Sequence, residues 1–197
     1  MKILLTGKPG IGKTTLILNL LSRCRLRAGG FYTKELRQGG TRTGFEIHSL
    51  DGSRGVLAHR NNKSRFRVGC YGVDINAMEG IGVRSIEEAI QSSELIVVDE
   101  IGKMELLSPG FADVVARAIE SGKQFLATVM KGPHPFADMI KKMEDTRLIE
   151  VTYENRCRLV REIASLLVED TKKPSIRRPN HRSCVRPFRC RRGSGRP

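Results

Sequence analysis

The chain has 197 residues, 39% of them hydrophobic, enough for one domain with a real hydrophobic core. No stretch approaches the roughly 18 consecutive apolar residues that a membrane-spanning helix needs. The formal charge of +14 is concentrated late: ten Lys or Arg and no acid lie between Thr171 and Pro197, leaving residues 1–170 at +4. A nucleic-acid reading therefore rests on the tail alone.

The N-terminal apolar run leads straight into a glycine loop with no small-residue cleavage site, which argues against a signal peptide. A cytoplasmic protein without membrane contact is expected. The five cysteines are odd in number and lack any CxxC spacing, which fits reduced thiols. His181, Cys184 and Cys190 lack a fourth ligand for a zinc site.

In chain order, Lys2 to Thr6 reads as a buried strand, and Lys13 to about Arg27 as a helix with Leu16, Leu20 and Leu21 on one face. Residues 29–60 then carry three strand-like runs. They are separated by Gln38-Gly39-Gly40 and Asp51-Gly52 and end at Asn61-Asn62, the turn chemistry of an antiparallel meander. "RFRVGCYGVDI" supplies a further strand, and "SIEEAIQSS" a short helix with Ser85 as its expected N-cap. From Leu95 onward strand and helix alternate. Leu95–Val98, Gln124–Val129 and Leu148–Thr152 read as strands, and Phe111–Glu120, Phe136–Lys142 and Glu154–Val168 as helices. Short apolar strands alternating with helices predict an α/β fold, a mainly parallel sheet covered on both faces, with the meander inserted after the first helix. Residues 1–168 form the expected domain. Residues 169–197, rich in Pro, Arg and Ser, form a basic tail expected to be disordered.

The loop "GKPGIGKTT" fits G-x-x-x-x-G-K-[ST] through Gly7, Gly12, Lys13 and Thr14, between a strand and a helix as the motif requires. Glycines let successive N–H groups curl around one anion, and the helix N-terminus adds partial positive charge. The expected phosphate cradle is Gly7, Lys8, Pro9, Gly10, Ile11, Gly12, Lys13, Thr14 and Thr15. Lys13 reaches the β- and γ-phosphates, and the Thr14 hydroxyl is a ligand for Mg²⁺. A loop of this kind calls for an acid at the end of a neighbouring buried strand. "LIVVDE" supplies Asp99 as the second metal-holding residue, followed by Glu100, placed to deprotonate a water.

With these residues in view, the sequence resembles the THEP1-type nucleoside-triphosphatases, called cancer-related nucleoside-triphosphatase in their animal branch. "GKPGIGKTT", "GGFYTKELRQGGTRTGFEI", "VVDEIGKMEL", "HPFADMIKK" and "VTYENR" carry the resemblance, which spans Lys2 to about Ile163. It implies a RecA-like P-loop NTPase fold, hydrolysis of nucleoside triphosphates to diphosphate and phosphate, and loose choice of base. It also brings Ile101 and Gly102, with Asp99 and Glu100, into the nucleotide site. Lys8 and Pro9 stand where the family has small residues or proline, and the basic tail lies outside the resemblance.

Asn155 and Arg156, just past the last core strand, are expected to meet the base, an Arg plane stacking on any base face. Lys103 and Arg42 are read as surface charges, with a cis arginine-finger role as the alternative. Thr128 is read as a β-forming threonine, with a hydrogen bond to phosphate or water as the alternative. His134, between two prolines, is read as a turn residue. The protein is expected to be a monomer that uses Mg²⁺, with non-specific polyanion contact through the tail. The competing readings are a small P-loop kinase and a nucleic-acid-associated ATPase.

Overall fold

The computed structural model describes residues 1–171. The expected disorder and polyanion contact of the tail from residue 172 on lie outside the described residues. One nine-stranded sheet runs in the order Arg67–Val68 (β5), Tyr71–Val73 (β6), Arg54–His59 (β4), Thr41–Ser49 (β3), Ala28–Gln38 (β2), Leu95–Ile101 (β7), Gln124–Val129 (β8), Lys2–Thr6 (β1) and Thr146–Glu150 (β9). Its parallel half consists of β2 (Ala28–Gln38), β7 (Leu95–Ile101), β8 (Gln124–Val129), β1 (Lys2–Thr6) and β9 (Thr146–Glu150). Strand β8 sits between β1 and β7, so one strand separates the phosphate-loop strand from the Asp99 strand, as in the RecA-like arrangement.

Apolar residues fill both faces of β1, β7 and β8 because helices cover both. Ile3, Leu5, Leu95, Val97 and Leu126 pack with α1 (Lys13–Leu21) and the helix Arg156–Thr171. Leu4, Ile96, Val98, Phe125 and Ala127 face the opposite layer. That layer holds the helices Arg84–Ser92, Phe111–Glu120 and Pro135–Lys141. The period of two along each strand thus sorts its residues between two cores.

The meander is more than a decoration on the core. Strand β2 pairs parallel with β7 and antiparallel with β3 (Thr41–Ser49), so one strand belongs to both halves of the sheet. Strands β4 (Arg54–His59), β6 (Tyr71–Val73) and β5 (Arg67–Val68) extend it antiparallel.

Several expected boundaries move; β9 runs over Thr146–Glu150 and not Leu148–Thr152, and β7 continues past Val98 to Ile101. Helix α1 ends at Leu21, short of Arg27. The chain turns there, with Cys24 N–H donating to the Leu20 carbonyl at 2.9 Å and Arg27 N–H to Glu94 Oε2 at 2.9 Å. This delivers Ala28 beside Leu95 to start β2. Ser85 is not a cap, because its helix continues without a break from a π-helical turn at Met78–Val83. Its buried hydroxyl donates instead to the Gly82 carbonyl at 2.8 Å, and the stretch is capped upstream by Asp74, which accepts from Ala77 N–H at 3.0 Å. The last helix runs to Thr171, past Val168.

Gly30 sits at the seam of the two sheet halves, with φ +105° and paired with Val97. A Cβ there would lie 2.0 Å from the Val97 carbonyl oxygen. Gly30→Ala is expected to lower unfolding free energy by about 1–3 kcal/mol, read as a lower urea midpoint at unchanged m-value. A parent-like midpoint would show that the seam relaxes without cost.

Candidate active site

The phosphate loop leaves β1 after Thr6 and enters α1 at Lys13. Gly7, Gly10 and Gly12 have φ of +151°, +76° and +100°, which only glycine adopts freely. Gly7 also passes so close to β9's exit that a Cβ would stand 2.7 Å from the Val151 carbonyl oxygen. Ile11 is buried and anchors the loop to the α1 layer, while Lys8, Pro9 and Gly10 are exposed at its crest. Helix α1 has no side-chain cap and no acid in its first turn. Its first N–H groups and dipole are therefore directed at the loop's concavity, an anion-binding arrangement. Thr15, next to Thr14 on that first turn, is exposed.

Two side chains from two elements meet on Asp99, which is 1% exposed. Thr14 Oγ1 donates to Asp99 Oδ2 at 2.6 Å and Thr128 Oγ1 to Asp99 Oδ1 at 2.5 Å. Burial pushes the Asp99 pKa up, and the hydroxyls of Thr128 and Thr14 and the Lys13 charge pull the other way. The Asp99–Glu100 peptide is cis. Lys13 Nζ donates to the Gly7 carbonyl at 3.3 Å and lies 3.8 Å from Glu100 Oε2. Burial raises the Glu100 pKa, Lys13 opposes that, and Asp99 adds to it. Ile101 is fully buried in the core, and its carbonyl accepts from Met130 N–H at 3.1 Å. Gly102 is buried beside Glu100.

The expected base contacts divide. Asn155 is spent on its own turn: Oδ1 accepts from Thr152 N–H and Nδ2 donates to the Glu150 carbonyl, both at 2.8 Å. Arg156 does reach the loop, donating from Nη1 to the Ile11 carbonyl at 3.4 Å. Its guanidinium lies 5.1 Å from the ring centre of Tyr153, which is 65% exposed. A separate cavity of about 160 Å³ is lined by Arg27–Gly30, Ser85, Glu88, Ala89, Ser92 and Ser93 among others, at the other end of β2 and β7. It is far smaller than a nucleotide pocket needs.

A family model for an NTPase matches residues 2–164. The chain is 51% identical to the nucleoside-triphosphatase THEP1 of Thermotoga maritima over 167 residues, 85% of this chain and 95% of that one. It is 36% identical to the THEP1 of Methanocaldococcus jannaschii over 176 residues, 87% of this chain and all of that one. Its fold matches the crystal structure of THEP1 from Aquifex aeolicus at a TM-score of 0.79 and 36% identity, covering 85% and 99% of the two chains. The solution structure of a human cancer-related nucleoside triphosphatase matches at 0.74 and 35%, covering 87% and 99%. The chain belongs to the THEP1-type NTPase family.

Of the remaining candidates on this family scaffold, Thr128 turns inward to Asp99 and is committed to that carboxylate. Arg42 is tied into the hairpin, donating from Nη1 to Glu35 at 2.7 Å and from Nε to the Tyr71 hydroxyl at 3.2 Å. Lys103 is exposed. His134 leads into the helix from Pro135, its N–H bonded to Asp138 Oδ2 at 3.1 Å, as a turn residue would be. Among the described residues, no helix is long and apolar enough to cross a membrane.

Two residues at this site receive no role from the sequence, although both lie in stretches that carry the family resemblance. Tyr153 has no periodicity to mark it, and its place in "VTYENR" with Arg156 is the available signal. Glu105 lies in a 3₁₀ turn, Glu105–Leu107, just after β7, and is 6% exposed. Burial, with Glu100 and Asp99 nearby, pushes its carboxyl up to about 8 from an ordinary 4.5. The folded state then holds a proton that the unfolded chain releases above about pH 4.5, so stability falls as pH rises from there to about 8. Glu105→Gln is expected to remove this loss, by up to about 1.4 kcal/mol per pH unit. Urea unfolding at pH 5 and pH 8 without nucleotide checks it, the variant gaining on the parent at pH 8. An equal gap at both pH values would refute it.

Proposed function

We propose that this protein hydrolyses nucleoside triphosphates to nucleoside diphosphate and phosphate, using Mg²⁺ and tolerating different bases. The observation that carries the reading is the meeting of Lys13, Thr14, Asp99 and Glu100 at the mouth of one phosphate loop. The Thr14 hydroxyl and the Asp99 carboxylate form an all-oxygen donor set suited to a hard cation, and these two residues would hold Mg²⁺. When bound, the ion neutralises charge building on the β- and γ-phosphate oxygens. Lys13 supplies the fixed protein charge at the same oxygens, and the loop amides orient the chain of phosphates.

Glu100 accepts the proton of a water whose oxygen attacks the γ-phosphorus. The bond from that phosphorus to the β–γ bridging oxygen breaks, and its electron pair leaves with the diphosphate. In this reading Tyr153 and Arg156 present flat faces to the base. Such stacking grips any base without reading its edge, which supports loose specificity. The protein acts as a cytoplasmic monomer, and its basic tail contacts polyanions without sequence choice.

Phosphate release from a panel of nucleoside triphosphates, with and without RNA, tests the whole reading. Hydrolysis of all four, unchanged by RNA, is expected; transfer of the γ-phosphate to an added nucleoside would replace it with a kinase. Lys13→Ala is expected to lose binding of a fluorescent ATP analogue. Glu100→Gln is expected to keep that binding while turnover falls by about 10² to 10⁴. Parent-like affinity in the first, or parent-like turnover in the second, would sink the corresponding assignment.

Removing residues 172–197 takes away ten positive charges and none of the site residues. The truncated chain is expected to keep hydrolysis within about twofold and to lose salt-sensitive RNA binding. Lost hydrolysis on truncation would place the tail in the catalytic machinery.

A further inference from the structure

Glu105 neither touches the phosphate loop nor belongs to the metal-holding pair, yet its carboxyl is buried beside the site. Strand β7 ends at Ile101, and the 3₁₀ turn folds back on it, with Leu106 N–H donating to the Gly102 carbonyl at 3.1 Å. Burial pushes the Glu105 pKa up, and the backbone N–H groups of Glu105 itself and of Gly102 oppose that rise. A carboxyl group is an expensive way to tie a turn, since burial without full pairing costs free energy that an apolar side chain would not incur.

The space beside Gly102 shows what the carboxyl faces. From the point a Cβ on Gly102 would occupy, Glu105 Oε2 is 2.9 Å away and Glu100 Oε1 is 3.3 Å away. The two carboxyl groups therefore converge on the volume left by the missing side chain. The other Glu100 oxygen, Oε2, points to Lys13 at 3.8 Å. Glu100 is thus held with one oxygen toward the turn and one toward the phosphate loop. Its side chain is 35% exposed.

We propose that Glu105 is a positioning residue for Glu100, its buried carboxyl backing one Glu100 oxygen so that the other stays turned to the reacting phosphate. The inference rests on the reading of Glu100 as the base. Gly102 is required in the same device, since any side chain there displaces the carboxyl pair. Glu105 itself meets neither water nor nucleotide; it acts by limiting the orientations of the group that does. Misplacing a reacting group by about 1 Å is enough to cost roughly a hundredfold in rate.

Steady-state ATP hydrolysis by the full chain, with nucleotide affinity measured separately, separates this role from a structural one. Glu105→Ala is expected to lower kcat by about tenfold to a hundredfold. KM and analogue affinity stay within about threefold of the parent, because binding groups are untouched. Glu105→Gln, which keeps shape and hydrogen bonding, recovers kcat to within about threefold of the parent. In a Glu100→Gln background Glu105→Ala has no further effect, since the group it positions is already gone. If Glu105→Ala does not fold, Gly102→Ala reports the same split, lowering kcat with affinity retained.

Parent-like kcat in Glu105→Ala alongside an inactive Glu100→Gln would overturn the positioning role and leave the base in place. Parent-like kcat in Glu100→Gln would instead remove the base. A Glu105→Gln as impaired as Glu105→Ala, or an equal further loss in the Glu100→Gln background, also overturns the proposal.

Discussion

The site depends on one buried carboxylate held from two sides. Asp99 accepts from Thr14 on the first turn of α1 and from Thr128 on β8, and itself ends the apolar part of β7. Moving an unpaired carboxylate into this nearly dry position would be costly, and the two hydroxyls offset that cost. The same bonds fix the phosphate-loop helix against the acid strand. Any shift of α1 relative to the sheet therefore breaks a hydrogen bond at the centre of the site.

Charge at the strand ends is arranged around a single lysine. Lys13 is bonded to the Gly7 carbonyl and lies near Glu100, while Asp99 and Glu105 sit deeper. Burial pushes the pKa of all three carboxyl groups up; neighbouring carboxylates add to this at Glu100 and Glu105, and Lys13 opposes it at Asp99 and Glu100. A polyphosphate would bring still more negative charge here, which is why the loop amides and the uncapped helix end matter as much as the lysine side chain.

The long hairpin enters this picture through its register. Tyr32 on β2 is paired with Asp99, so the rest of β2 and its turn continue beyond the strand ends where the site lies. Glu35 holds that projection together by accepting from Arg37 and Arg42, and Arg42 also stands 5.1 Å from the Phe45 ring centre. These contacts explain the charged residues of the hairpin as a self-contained clamp that keeps a two-stranded extension in one shape.

Local chemistry made the phosphate loop, the acid strand and the alternation of strand and helix legible in the sequence. Left-handed glycines, a lysine at a helix start and a strand ending in acids each have a short-range cause. Family likeness added the hydrolysis reading, and the matched relatives agree with it. What stayed hidden depended on contacts between distant segments. Whether Thr128 faced water or Asp99 was decided by β8 lying next to β7, and the use of Asn155 on its own turn by the path of the chain leaving β9. The sharing of β2 between both halves of the sheet required Gly30 to lie against Val97, and nothing in its glycine neighbourhood named that partner. Glu105 is the clearest case. In the sequence it is one acid after a lysine and a methionine, and only the fold-back onto Gly102 removes it from water and sets it beside Glu100. Motif chemistry is written in residues a few positions apart, whereas burial and cross-strand pairing belong to the whole sheet.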